Sequence, residues 1–108
     1  MGYRLNVAKT YKVEFGMDGF NHQVDAVHKL LRANCQEAFF TEDETRIQVD
    51  REEFLDLVVK VSKMTDDEFS TYGFDGDRGY TKEYVHDTLL RMYLYADKDN
   101  EYIYLFWF

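Results

Sequence analysis

The sequence predicts a two-layer α+β fold, in which helices pack on one face of a mainly antiparallel four-stranded sheet. Three observations lead to this prediction: a period-two pattern opens the chain, segments with helical spacing occupy its middle, and an apolar strand closes it. The elements follow the order β-α-β-β-α-α-α-β, with no internal repeat and no linker. At 108 residues, we expect a single domain that covers residues 1–108.

The N-terminal part predicts one long strand followed by a helix. Apolar and polar residues alternate along residues 3–15, which predicts a strand with one buried face. Gly16 and Gly19 are expected to end this strand in a turn. Residues 22–33 have helical spacing after an N-cap at Asn21, and Asn34 is predicted to take the left-handed position that ends the helix.

The next segment predicts a β-hairpin that leads directly into a second helix. Residues 38–40 and 46–49 are short runs rich in strand-forming residues, and an acidic turn over residues 41–45 separates them. Asp50 is predicted to cap the second helix, and Glu53 occupies the capping-box position three residues later.

Two further helices and a strand complete the chain. Thr65 is predicted to open a short helix with Glu68 as its capping-box partner, and Thr81 to cap the last helix. The final strand, residues 102–108, is apolar or aromatic on both faces, so we expect it near the centre of the sheet with the hairpin outside. Its two aliphatic residues favour an inward row of Ile103, Leu105 and Trp107. The opposite row is Tyr102, Tyr104, Phe106 and Phe108.

The net charge of −8 restricts the classes of partner. Residues 37–87 hold fifteen Asp or Glu and six Lys or Arg, so the middle of the chain is strongly acidic. Such a field repels nucleic acid and anionic lipid and attracts basic proteins. Cys35 is the only cysteine, and no apolar leader or membrane-length segment is apparent, which favours a free thiol, a cytoplasmic location and no membrane partner.

The residue patterns predict no catalytic residue, metal site or cofactor. Asp97 and the acids after it begin like a calcium loop, but the glycine and the final acid that such a loop needs are absent. His22, Asp25 and His28 follow one another at intervals of three, which suits a single zinc ion poorly. Cys35 could act as a nucleophile if the fold brought it next to His28 as its base. A lone cysteine at a helix end is more often a small buried apolar residue.

Two functional hypotheses remain open at this point. The first is a non-enzymatic module that binds another protein, with a basic protein as the favoured partner, through an acidic and aromatic surface, as an accessory protein of a phage or mobile element or a nucleic-acid mimic would. Self-association through the C-terminal strand belongs to the same hypothesis. Its candidate residues are Glu42, Asp43, Glu44, Asp66, Asp67, Glu68, Tyr102 and Tyr104. The alternative is a small enzyme or ligand-binding domain with a site near the loop of residues 73–79, which a deep pocket at His86, Asp75 or Asp77 would favour.

Overall fold

A computed structural model describes residues 4–8, 15–20 and 23–108 of the chain. It confirms the α+β class and the predicted order of elements. No helix in the described part is long and apolar enough to cross a lipid bilayer. The elements are β1 (Leu5–Ala8), β2 (Phe15–Gly19), α1 (Val24–Asn34), β3 (Phe39–Phe40), β4 (Arg46–Asp50), α2 (Arg51–Lys63), α3 (Asp66–Ser70), α4 (Lys82–Tyr95) and β5 (Tyr102–Trp107).

The strands form one antiparallel sheet in the order β2-β1-β5-β4-β3. The last strand, β5, is central, as its two apolar faces predict, because a central strand has neighbours along both edges. The β3–β4 hairpin lies to one side of it, also as predicted. The sheet has five strands in the described residues, one more than expected, because the N-terminal segment contributes two of them.

The N-terminal segment differs from the single long strand predicted over residues 3–15. Its described residues form β1 and β2, which pair antiparallel, and the rest of the predicted strand lies outside the described residues. The predicted turn at Gly16 and Gly19 is wrong, since both glycines belong to β2. At Gly19 the reason is close packing: a Cβ there would lie 2.7 Å from Cγ2 of Thr88 on α4. The glycine therefore permits close approach of a helix, which sequence reasoning mistakes for a turn signal.

The predicted helix caps are partly confirmed. The side chains of Asp50, Thr65 and Thr81 accept hydrogen bonds from the first turns of α2, α3 and α4, and Thr65 completes a full capping box. The predicted N-cap at Asn21 lies outside the described residues, and Gln23 precedes α1. The left-handed position predicted for Asn34 is wrong, because Asn34 is the last helical residue and Cys35 follows it with extended backbone.

The inward row predicted for β5 is confirmed by burial. Ile103 and Leu105 are 0% exposed and Trp107 is 3% exposed. These side chains join one apolar core with the inner faces of α1, α2 and α4. The alternation along β5 leaves Tyr102, Tyr104 and Phe106 only half-buried on the opposite face of the sheet.

Candidate functional site

The face of the sheet opposite the helices carries a strip of aromatic side chains. We call this surface the outer face. Direct cross-strand pairing places the following described side chains on it: Asn6, Phe39, Arg46, Gln48, Asp50, Tyr102, Tyr104 and Phe106. Directly opposite residues in antiparallel strands share a face, so the pairs Arg46–Phe106 and Gln48–Tyr104 follow from the register. The central strand therefore supplies the middle of this surface.

Contacts within the outer face order its aromatic rings. The rings of Tyr102 and Tyr104 lie 6.4 Å apart between centroids, at a tilt of 52°. The Arg46 guanidinium lies 5.3 Å from the Phe106 ring centroid, in cation–π geometry. At the β3 edge, Phe39 is 62% exposed, an unusual environment for a phenylalanine. The result is a surface with half-buried rings on β5, an exposed ring on β3 and the Arg46 side chain stacked on one of the β5 rings.

Two acidic loops lie at the two ends of β5. The β3–β4 turn, residues 41–45, holds three acids and no base, and one of its carbonyls accepts from the Trp107 backbone N–H at 2.8 Å. The loop of residues 97–101 holds three acids and one base, and one of its carbonyls accepts from the Arg51 backbone N–H at 2.8 Å. The Arg51 guanidinium also donates to two carbonyls of this loop. An acidic loop is thereby attached at each end of β5.

Two of the three candidate acids of the β3–β4 turn have structural contacts, Asp43 within the turn and Glu44 with α1. The Asp43 carboxylate accepts from the hydroxyls of Thr41 and Thr45, both at 2.8 Å, and from the Thr45 N–H at 3.1 Å. These hydrogen bonds lower the pKa of Asp43. Glu44 lies 3.1 Å from the Arg32 guanidinium, which lowers the pKa of Glu44. Glu42 is exposed, so it is the member of this set most accessible to a partner.

The acids of α3 form a separate group at the N-terminal end of that helix. The Glu68 carboxylate accepts from the N–H and hydroxyl of Thr65, so it serves as the capping-box partner. Asp66 has 99% of its side chain exposed, with the Lys82 ammonium 3.9 Å away, and Asp67 is also exposed. These residues belong to the helical layer, whereas Tyr102 and Tyr104 belong to the sheet. The eight predicted interaction residues therefore divide among the β3–β4 turn, α3 and β5.

The alternative site near residues 73–79 is a shallow depression next to the start of α1. The Asp75 side chain accepts from the Asp77 N–H at 3.1 Å and lies 3.5 Å from the Arg78 guanidinium, so it organises a single 3-10 turn. The depression is lined by residues that include Gln23, Asp25 and Asp75. His86 does not line it and pairs instead with its neighbour Asp87. The depression therefore does not bring His86 together with Asp75, as the enzyme hypothesis requires.

The remaining metal and nucleophile candidates are engaged elsewhere. Among the described residues no group of three His, Cys, Asp or Glu side chains could hold a metal ion. His22 lies outside the described residues. The Cys35 thiol lies 3.9 Å from the carbonyl of Glu53, and burial together with the Glu53 charge raises the pKa of Cys35 to about 12. Cys35 therefore behaves as a buried apolar residue. His28, its candidate partner, accepts a hydrogen bond from Trp107 instead.

Sequence reasoning placed Phe106 in the outward row of β5, but it did not single out Phe39 or Arg46 as members of the outer face. The sequence does indicate the position of Arg46, because side chains alternate between the two faces of β4 and the next residue, Ile47, is buried. Phe39 depends on the hairpin register, which pairs it with Gln48, and two apolar residues in succession do not indicate which of them faces water.

Comparison with family models, with curated proteins and with solved structures finds no match to this chain.

Proposed function

We propose that this chain is a non-enzymatic interaction domain that binds a basic protein through the outer face of its sheet. The observation that carries the proposal is the aromatic strip on the central strand, which lies between two acidic loops and away from the helical layer. No helix of the described part packs on this face.

The aromatic rings provide the anchoring part of the surface. Tyrosine is enriched among the residues that dominate binding energy at protein interfaces, because a rigid ring buries much area and its hydroxyl tolerates water. Apolar patches bordered by polar residues are typical of protein interaction sites. Tyr104 occupies the middle of the strip on β5, Tyr102 lies at its start, and the exposed Phe39 ring lies at the β3 edge of the same face.

Charge indicates the chemistry of the partner. The chain carries −8 overall, and acids at both ends of β5 surround rings that accept cations on their faces, as Phe106 accepts Arg46. A segment rich in Lys and Arg satisfies both features, since its cations can pair with the loop acids and stack on the rings. A DNA-binding protein with a basic face is a partner of this kind, and the domain would then act as a nucleic-acid mimic. A second copy carries the same −8 charge, which opposes association.

A pulldown with matched variants tests the proposal. Tyr104→Glu places a charge in the middle of the outer face, while Tyr84→Glu makes the same change on α4, where Tyr84 is 43% exposed. The wild type and each variant are immobilised and incubated with source-cell lysate at low and high salt. Circular dichroism of the purified proteins checks that both variants are folded. We expect a basic protein to be retained by the wild type and Tyr84→Glu at low salt and lost from Tyr104→Glu.

The purified partner then gives a quantitative criterion. Tyr104→Glu should raise its Kd by at least about tenfold, the equivalent of 1.4 kcal/mol, and Tyr84→Glu should not. Equal affinity of the two variants would contradict the assignment of the surface. A dimer by light scattering that Tyr104→Glu dissociates would show that the face binds a second copy, contrary to the proposal.

A further inference from the structure

A buried histidine joins three elements of the fold and plays no part in the proposed interaction surface. His28 of α1 is 5% exposed. Its Nε2 lies 2.8 Å from Nε1 of Trp107 on β5, and its Nδ1 lies 3.4 Å from a carboxylate oxygen of Glu44 in the β3–β4 turn. The imidazole also makes edge contacts with the rings of Phe40 and Trp107, at 5.0 and 5.8 Å between centroids.

The hydrogen bonds determine which nitrogen of His28 carries the proton. An indole N–H can only donate, so Nε2 of His28 must be the unprotonated acceptor. The proton of the neutral ring is then on Nδ1, from which it is directed toward Glu44. A second proton would have to bind Nε2, where it would face the Trp107 N–H and turn an acceptor into a second donor. The charged ring and the Trp107 hydrogen bond are therefore mutually exclusive.

Charged groups from two elements surround this ring. Glu44 faces it from the β3–β4 turn, and Arg32 and Asp25 face it from α1 itself. Glu44 also pairs with the Arg32 guanidinium at 3.1 Å, so its negative charge is shared between the two. Glu44 has a backbone φ of 59°, in the left-handed region that costs energy for a residue with a side chain. Its side-chain contacts help to maintain that conformation.

We infer that His28 is a pH-sensitive latch, which ties β5 to α1 and to the β3–β4 turn while its ring is neutral and releases Trp107 when the ring is protonated. The backbone N–H of Trp107 donates to a carbonyl of the same turn at 2.8 Å. Acidification therefore acts first at the C-terminal end of β5. Since β5 also carries the aromatic strip, the latch couples pH to the shape of the outer face.

The direction of the pH dependence follows from burial. Burial lowers the pKa of His28 below its ordinary value of 6.5, while the Glu44 charge acts in the opposite sense. The unfolded chain then binds more protons than the folded one, so stability rises with pH through this range. The contribution of the latch is complete above 6.5, decreases as the pH falls below that value, and is absent below the pKa of the folded state.

Trp107 is the only tryptophan of the chain, so its fluorescence reports on the latch directly. In the wild type we expect loss of emission and a red shift as the pH falls from about 7.5 to about 5, before circular dichroism shows global unfolding. His28→Gln keeps an acceptor for the indole but cannot titrate, and should abolish the change. His86→Gln, a matched change at the half-exposed histidine of α4, should retain it.

Two measurements remain decisive if His28→Gln fails to fold. Nitrogen-15 spectra of the wild type should show Nε2 of His28 unprotonated at neutral pH, and Trp107→Phe, which removes the indole donor, should raise the pKa of His28 toward 6.5. A protonated Nε2 at neutral pH would overturn the inference. An identical fluorescence titration in the wild type and His28→Gln would overturn it as well, and neither result depends on any binding partner.

Discussion

At the scale of single residues, Cys35 illustrates how burial determines chemistry. Its side chain is 2% exposed, and its pKa is raised to about 12, so almost no thiolate is present at neutral pH. We expect native protein to react with a thiol reagent only as fast as it unfolds, and its melting temperature to be the same with and without reductant. Rapid stoichiometric labelling of the native protein at about pH 7.5, where an exposed thiol with an ordinary pKa of about 8.5 reacts, would contradict this.

Single-residue predictions succeeded where the interaction is local in sequence. Asp50, Thr65 and Thr81 cap helices as expected, because each side chain bonds an N–H only three residues away. Glu53 was predicted to return a bond to Asp50, and instead its carboxylate accepts from the N–H groups of residues 36 and 37, both at 3.1 Å. That contact joins α2 to the segment that follows α1, and the capping-box spacing gives no indication of it.

At the scale of elements, the contact between β2 and α4 depends on Gly19. A methyl group there would lie 2.7 Å from Cγ2 of the buried Thr88, so Gly19→Ala should destabilise the protein by about 1–3 kcal/mol. Thr88→Ser removes that Cγ2 and should restore part of the loss in the double variant. Gly76→Ala, which meets no atom within 4 Å, is the control. Urea unfolding of the four variants measures these effects, and equal loss at positions 19 and 76 would argue against the packing.

Element prediction was accurate where pattern and burial agree. The apolar residues on both faces of β5 indicated a central strand, and the structure places it between β1 and β4. The second N-terminal strand was missed because the alternation continues in phase through residues 3–15, which predicts one strand where the structure has β1 and β2. The outer face was half predicted: Tyr102 and Tyr104 follow from period two, whereas Phe39 requires knowledge of the register.

At the scale of the whole molecule, charge separates protein partners from nucleic acid. With a net charge of −8, we expect no binding to duplex DNA at physiological salt, because phosphates are repelled and few cations are available to release counterions. Fluorescence anisotropy with labelled duplex DNA measures this. Binding that weakens steeply with salt would contradict it, and a lysine at the exposed Glu42 should then strengthen that binding.

The central claim is that a basic protein occupies the outer face, and site-specific photocrosslinking tests it most directly. A photoreactive phenylalanine analogue replaces Tyr104 in one sample and Tyr84, on the helical layer, in another. Both are irradiated in source-cell lysate at low salt, and the adducts are identified by mass spectrometry. The account predicts an adduct with a basic protein from position 104 and none with that protein from position 84. The same adduct from position 84, or only a crosslinked dimer from position 104, would contradict it.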